Sequence, residues 1–153
     1  VTRLARRQER ELRAWLNGGA TLAAGNTLSA AVIRAAEDVE DEYDVVVEVS
    51  TAGDRTLDER TAGVVLAARE AMTNAARFAA VDRIFVLAEA HDDEIRLVVR
   101  DQGDGFDPED VPGDRRGIRE SIVGRLERLG GTATVTSKVG GGTEVELNVG
   151  AET

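Results

Sequence analysis

Two apolar runs separated by a three-residue turn constrain the fold of this chain more than any other feature. The runs are RIFVLAEA (83–90) and EIRLVVRD (94–101), and only His91, Asp92 and Asp93 lie between them. So short a connection joins antiparallel strands, because a parallel pair needs a crossover of a dozen or more residues. The sequence therefore predicts a β-hairpin with His91, the single histidine, exposed in its turn and not catalytic.

Helical patterns precede and follow this hairpin. Four apolar residues at helical spacing predict a helix that starts near Asn26 or Thr27; they are Leu28, Val32, Ala35 and Val39. The segment Thr56-Leu57-Asp58-Glu59 has the pattern of a capping box and predicts a long helix that ends near Ala79. A further helix is predicted over 118–129, with Gly130 at its end. Its inward residues would be Ile118, Ile122, Leu126 and Leu129.

The remaining segments complete a fold class. DVVVEV (44–49) predicts a strand, and TATVTSK and TEVELNV predict a final hairpin around 139–142. The segment 102–116 carries glycine and proline and predicts a loop of functional length. Helices and strands in this order predict an α+β fold, a two-layer α/β sandwich. Its mixed, mostly antiparallel sheet would carry the helices on one face.

Length and composition limit the possible functions. A chain of 153 residues suits one domain, expected at 20–150, with a separate segment at 1–19 and a tail at 151–153. The net charge of −10 argues against nucleic-acid binding. The absence of cysteine excludes thiol catalysis and cysteine-ligated metals. With neither an apolar run of about 18 residues nor a secretory signal, the sequence predicts a cytoplasmic location without membrane contact.

The long helix carries three polar residues at i, i+4 and i+7, namely Glu70, Asn74 and Arg77. By themselves they fit the solvent-facing side of an amphipathic helix. Their chemistry also suits a nucleotide with its metal ion: a carboxylate can polarise water, an amide oxygen can ligate a hard cation, and a guanidinium can bind phosphate. A Walker-type phosphate loop is excluded, because the single lysine, Lys138, is followed by Val139.

Asp101 ends the second strand of the central hairpin and is followed by Gly103 and Gly105. By itself this pattern fits a strand that enters a loop in which the glycines supply positive φ. An aspartate at the mouth of an apolar sheet also needs hydrogen-bond donors. An adenine amino group is one such donor, and the glycines would let the backbone approach a ligand closely. Thr143, after the triple glycine, could support the same site.

Four segments, in this order, resemble those of a known family. EAMTNAARFA (70–79), DQGDGF (101–106), the Gly-Ile pair at 117–118 and GGGT (140–143) are similar to the N, G1, G2 and G3 boxes of the Bergerat-fold (GHKL) ATPases. Within that superfamily the chain looks most like the ATP-binding domain of sensor histidine kinases, of the class that phosphorylates LuxR/NarL-type response regulators. The resemblance covers roughly 28–149.

The resemblance implies an ATP site with magnesium. Asn74 would ligate the Mg²⁺ ion that bridges the phosphates, and Glu70, the candidate catalytic residue, would hold a water on that ion. Asp101 would accept a hydrogen bond from the adenine amino group, directly and through a water shared with Thr143. The loop 107–116 would be a mobile lid, and Gly117 would start a helix whose amides face phosphate. The other implied ATP-binding residues are Arg77, Gly103, Gly105, Arg116 and Ile118.

Two positions depart from the family pattern. The N box commonly carries His or Tyr where this chain has Phe78, so a hydrogen bond from that position is lost. The G2 box usually has two glycines, but Arg115-Arg116-Gly117 keeps only the second. We expect a less pliable lid with more positive charge near the phosphates.

The resemblance also implies partners. Such kinases have a dimerising helical hairpin with the phosphoacceptor histidine before this domain, and Arg3 to Leu16 resembles the tail of its second helix. The sequence is thus expected to be a fragment that lacks the acceptor and is monomeric, from a homodimeric kinase. An alternative to a wholly cytoplasmic kinase is the cytoplasmic part of a membrane-bound sensor. The γ-phosphoryl group would pass to that histidine and then to a response regulator. The alternatives are an anti-sigma-factor serine kinase of the same fold and a non-catalytic nucleotide-sensing or interaction module.

Overall fold

A computed structural model describes residues 27–79, 81–105, 107 and 113–150 of the chain. These residues form three helices and five strands. The helices are α1 (Leu28–Tyr43), α2 (Glu59–Phe78) and α3 (Gly113–Arg128), and the strands are β1 (Val46–Ala52), β2 (Arg83–Ala90), β3 (Glu94–Asp101), β4 (Thr132–Ser137) and β5 (Thr143–Gly150). The helix predicted for Arg3 to Leu16 and the tail 151–153 lie outside the described residues.

The five strands form one mixed sheet in the order β1-β2-β3-β5-β4. Only β1 and β2 are parallel, and the three other neighbouring pairs are antiparallel. The hairpin predicted around His91 is confirmed: the His91 N–H donates to the Glu94 carbonyl across a 2.8 Å distance, and the His91 side chain is 56% exposed. The final hairpin and the predicted α+β class are confirmed as well.

Helix α2 lies at the centre of the helical layer, where it contacts α1, α3 and the strands β2, β3 and β5. Contacts on several sides bury residues around most of its circumference, not along one stripe alone. Even Arg69 is only 6% exposed, and its Nη1 atom lies 2.9 Å from Asp38 Oδ2 on α1. A buried guanidinium needs such a partner, because desolvation of an unpaired charge is costly. The burial of α2 on several sides therefore results from its packing against other elements, and not from its own sequence pattern.

The start of α2 differs from the prediction. Asp58 is the N-cap, and its Oδ1 atom accepts the Thr61 N–H at 2.7 Å. Thr56, the expected cap, instead forms an isolated bridge with Thr27. Both residue types cap helices well, so the pairing with Thr27 decided which one does. The predicted end near Ala79 is confirmed.

Two other boundaries are corrected. Strand β1 begins at Val46, because Asp44 is the left-handed C-cap of α1 with φ 54°. Helix α3 begins at Gly113, well before the predicted start at Ile118. The glycine and proline of this segment indicated a loop, although proline is also common at helix starts. Ile122 and Leu126 are buried and Gly130 has φ +80°, as predicted for the end of this helix. None of the three described helices is long and apolar enough to cross a membrane.

Replacing the Asp58 cap by alanine should destabilise the protein by about 1 kcal/mol at neutral pH. Burial by itself raises the pKa of Asp58, but the Thr61 hydrogen bonds and nearby Arg55 and Arg60 outweigh it and hold the pKa below its ordinary value. A lowered folded-state pKa contributes stability above the unfolded pKa and loses it as the pH falls through the folded value.

Urea unfolding of wild type and Asp58→Ala at pH 7 and below pH 4 checks this prediction. The difference between the two proteins should shrink at the acidic pH. Asp58→Asn is the matched control, because asparagine also caps helices but carries no charge. Equal stability differences at both pH values would contradict the prediction.

Candidate functional site

A cavity with mostly apolar walls lies where the C-terminal half of α2 meets the ends of β3 and β5. Three polar side chains open onto it: Asn74 from α2, Asp101 from β3 and Thr143 from β5. The rest of its lining is Ala71, Ala75, Phe78, Ala79, Val99, Gly105 and Val145. Apolar walls with a few convergent polar groups are typical of small-molecule sites.

Asn74 carries the most informative atom of the site. Its Oδ1 atom is buried and has no hydrogen-bond partner within the described part of the chain. A buried amide oxygen without a partner is costly, and such atoms are rare in folded proteins. Asn74 is half-buried, and its Oδ1 atom does not face solvent as expected for the solvent-facing side of an amphipathic helix. A hard cation or a ligand donor would satisfy this oxygen.

Asp101 is the last residue of β3 and is only 4% exposed. Its Oδ1 atom accepts the backbone N–H of Gly103 at 2.9 Å, which turns the chain directly after the strand. The sheet register pairs Asp101 with Ile84 on one side and with Thr143 on the other. Asp101 and Thr143 are therefore cross-strand neighbours, and their joint contact with a ligand stays a prediction.

The glycines after Asp101 pack against backbone from other parts of the chain. A Cβ atom on Gly103 would lie 2.2 Å from the Ala79 carbonyl oxygen, and one on Gly105 would lie 2.1 Å from the Lys138 carbonyl oxygen. Gly105 has φ +63°, but Gly103 is not in the positive-φ region, contrary to expectation. These close approaches give a structural reason for both glycines, distinct from the expected approach to a ligand.

The loops after β3 and β4 are joined through backbone atoms. The Gly140 N–H donates to the Asp104 carbonyl at 2.6 Å. A Cβ atom on Gly142 would lie 2.2 Å from the carbonyl oxygen of Asp101. The segments resembling the G1 and G3 boxes therefore form one unit, in which the position of Asp101 depends on the glycines of the other loop.

Ser137, at the end of β4, was missed in the sequence. It is 8% exposed, and its Oγ atom lies 2.9 Å from Thr143 Oγ1 and 3.1 Å from the Gly142 carbonyl oxygen. Strand alternation could have found it, because the predicted hairpin places Ser137 directly across from Thr143. Its small polar side chain then faces the same side of the sheet as Thr143.

Residues 59–153 match the family model HATPase_c, described as histidine kinase-, DNA gyrase B-, and HSP90-like ATPase. The chain belongs to this family.

The HATPase_c domain is similar to two curated proteins of Bacillus subtilis (strain 168). It is 32% identical over 81 residues to the sensor histidine kinase LiaS, an alignment that covers 53% of this chain and 22% of LiaS. It is 33% identical over 85 residues to the signal transduction histidine-protein kinase/phosphatase DegS, covering 54% of this chain and 22% of DegS. The similarity thus spans about a fifth of each relative's length.

Solved structures share the fold. The histidine kinase domain of the blue-light-activated histidine kinase from Erythrobacter litoralis EL346 has a TM-score of 0.64 at 22% identity, over 91% of this chain and 71% of that one. The ATP binding domain of PrrB from Mycobacterium tuberculosis has a TM-score of 0.65 at 21% identity, over 82% and 95% of the two chains. These matches agree with the predicted two-layer α+β fold.

Other predicted site residues of the HATPase_c domain lie outside the cavity lining. Glu70 is half-buried on α2, whereas Arg77 is exposed with its guanidinium carbon 4.9 Å from the centroid of the Phe78 ring. Arg116 and Gly117 are exposed on α3. The prediction that Gly117 starts a helix is wrong, because α3 begins at Gly113. The backbone amides without intrahelical partners belong to the first turn of the helix.

Part of the predicted lid lies outside the described residues. Phe106 and residues 108–112 lie outside the described residues, as do the side chains of Arg115 and Ile118. The residues described at this end of the domain therefore bring together Asn74, Asp101, Gly105 and Thr143.

The polar side chains of the site suit a metal ion that is coordinated mainly by a bound nucleotide and water. Within the described ranges no cluster of three or more His, Cys, Asp or Glu side chains could hold a metal ion. Magnesium bound with nucleotides needs few protein ligands, because phosphate oxygens and water supply the others. The buried Asn74 Oδ1 atom is an oxygen donor of the type that Mg²⁺ prefers. The residues present therefore fit a nucleotide-bound magnesium ion.

Proposed function

We propose that this HATPase_c domain binds Mg-ATP and donates the γ-phosphoryl group to a histidine on a dimerisation domain of a two-component sensor kinase. The observation that carries the proposal is the buried, unpartnered Asn74 Oδ1 atom in the same cavity as Asp101 and Thr143. An amide oxygen that can ligate a hard cation suits the phosphate end of a metal-bound adenine nucleotide. A carboxylate beside apolar walls suits its adenine end.

The adenine end would be recognised by Asp101. Its carboxylate accepts hydrogen bonds only, so it suits the amino group of adenine, and Thr143 supports it from the neighbouring strand. The apolar walls from Ala75, Val99 and Val145 would exclude water from the base. Gly103 and Gly105 hold the loop that positions Asp101.

The phosphate end would lie toward Asn74. Asn74 would hold the magnesium ion, with Glu70 one helical turn earlier on α2 placed to orient a water on it. When bound, magnesium neutralises charge on the β- and γ-phosphate oxygens. Arg77 and Arg116, both exposed on neighbouring helices, would add positive charge near the phosphates. Gly117 and Ile118 would then follow in α3.

Phosphoryl transfer in this proposal depends on positioning and charge. The bond between the γ-phosphorus and the bridging oxygen of ADP breaks as a bond from the acceptor imidazole nitrogen forms. The imidazole proton passes to a base, expected beside the acceptor histidine. We further propose a cytoplasmic location and, from the resemblance of the four sequence boxes, a LuxR/NarL-type response regulator as the next partner.

Titration with a fluorescent ATP analogue, with and without Mg²⁺, tests nucleotide binding directly. Wild type should bind saturably in the micromolar range or somewhat more weakly, and more tightly with Mg²⁺. Asn74→Ala should weaken binding roughly tenfold and remove the magnesium dependence, as expected for one lost interaction with a charged group.

Asn148→Ala is the matched control, because Asn148 lies on β5 outside the cavity lining. It should bind like wild type. Unchanged magnesium dependence in Asn74→Ala would contradict the assignment of Asn74. No binding by wild type at millimolar nucleotide would favour the interaction module. Attachment of a histidine-bearing dimerisation domain then tests transfer, which would fail in a serine kinase of the same fold.

A further inference from the structure

Ser137 occupies a shielded position behind Thr143. The two residues are cross-strand partners at the open end of the β4–β5 hairpin. Ser137 is 8% exposed and does not line the cavity, whereas Thr143 does. Any effect of Ser137 on a ligand in the cavity would therefore pass through the Thr143 hydroxyl, 2.9 Å away.

The hydrogen-bond directions around Ser137 follow from the number of hydroxyl hydrogens. A serine hydroxyl has one hydrogen to donate, and a carbonyl oxygen can only accept. The 3.1 Å contact with the Gly142 carbonyl therefore uses the Ser137 hydrogen. Thr143 must then be the donor in its contact with Ser137. Its own single hydrogen is directed away from the cavity, and it presents acceptor lone pairs to a ligand.

The polar group beside Thr143 has the same polarity. Asp101 pairs with Thr143 across the sheet, and its carboxylate accepts hydrogen bonds when ionised. The two residues assigned to the base thus both offer oxygen acceptors to the cavity. A ligand edge with N–H donors suits this arrangement, whereas an edge with a carbonyl oxygen would face other acceptors.

We propose that Ser137 is a positioning residue for nucleotide specificity. It holds the Thr143 hydroxyl as an acceptor, so that the site prefers a purine triphosphate with an amino group to one with a carbonyl oxygen at the same ring position. This inference rests on the proposed function, because it concerns how the same site selects its base.

This role is tested by measuring the affinities for ATP and for inosine triphosphate. Inosine triphosphate has a carbonyl oxygen in place of the amino group. Ser137→Ala frees the Thr143 hydroxyl to rotate and donate to that oxygen. The preference for ATP should fall about fivefold, the equivalent of one neutral hydrogen bond. In a Thr143→Val background, Ser137→Ala should change the preference no further. Thr136→Ala, an exposed position on the same strand, is the control and should leave the preference unchanged.

The outcomes separate the two proposals. If wild type binds neither nucleotide, the proposed function and this inference both fail. If wild type binds ATP but Ser137→Ala weakens both nucleotides alike, Ser137 is merely structural and only this inference fails. A change that persists in the Thr143→Val background also overturns it. Ser137→Cys, which keeps a weak donor in a similar volume, should give a smaller loss of preference and replaces Ser137→Ala if that variant does not fold.

Discussion

Gly142→Ala should destabilise the domain by more than about 3 kcal/mol. This is a large part of the free energy of unfolding of a typical domain, about 5–15 kcal/mol. The added Cβ atom would lie 2.2 Å from the Asp101 carbonyl oxygen and 3.0 Å from the Gln102 Cα atom. Neither atom belongs to a flexible side chain, so the end of β3 or the start of β5 must move. Movement there disrupts the pairing of Asp101 with Thr143.

Gly140→Ala is a close control for this effect. Gly140 has φ +77° and Gly142 has φ +78°, so both substitutions incur similar backbone strain, about 1–2 kcal/mol. A Cβ atom on Gly140 would meet nothing within 4 Å. The stability difference between the two variants, measured by urea unfolding, therefore reports the steric contact alone. Equal losses of stability in the two variants would contradict the predicted steric effect of the close approach between Gly142 and Asp101.

Asp101→Asn should reduce ATP-analogue binding by about 100-fold or more while the protein stays folded. The substitution keeps an oxygen that can accept the Gly103 N–H. It removes the negative charge and places an amide donor where the adenine amino group needs an acceptor. The loss of a charged hydrogen bond together with an unpaired buried donor is worth about 3 kcal/mol or more, which corresponds to that factor.

Asp104→Asn is the matched control, because Asp104 is exposed in the same loop. It should bind the nucleotide like wild type. Thermal unfolding of both variants separates lost binding from lost fold. Wild-type affinity in a folded Asp101→Asn protein would contradict the assignment of Asp101 to adenine recognition.

Local patterns explain the parts of the fold that the sequence predicted well. The β2–β3 hairpin follows from a three-residue turn between two apolar runs, and the final hairpin from a glycine-rich turn. The end of α2 and the end of α3 follow from periodicity and from Gly130. The start of α1 was also predicted, because Thr27 is its N-cap. The start of α2 was less well predicted, because Thr56 and Asp58 are both good caps and only the Thr27 bridge distinguishes them.

The site shows the same division. The sequence by itself determined that Asp101 ends a strand before two glycines and that Thr143 begins another, because strand alternation and turn residues act over a few positions. Only the tertiary structure decided that the Oδ1 atom of Asn74 is buried and unpartnered within the described residues, since helical periodicity does not show how many neighbours surround a helix. It also decided that Gly142 lies against Asp101, because that contact joins strands β3 and β5, which are far apart in the sequence and pair only in the folded sheet.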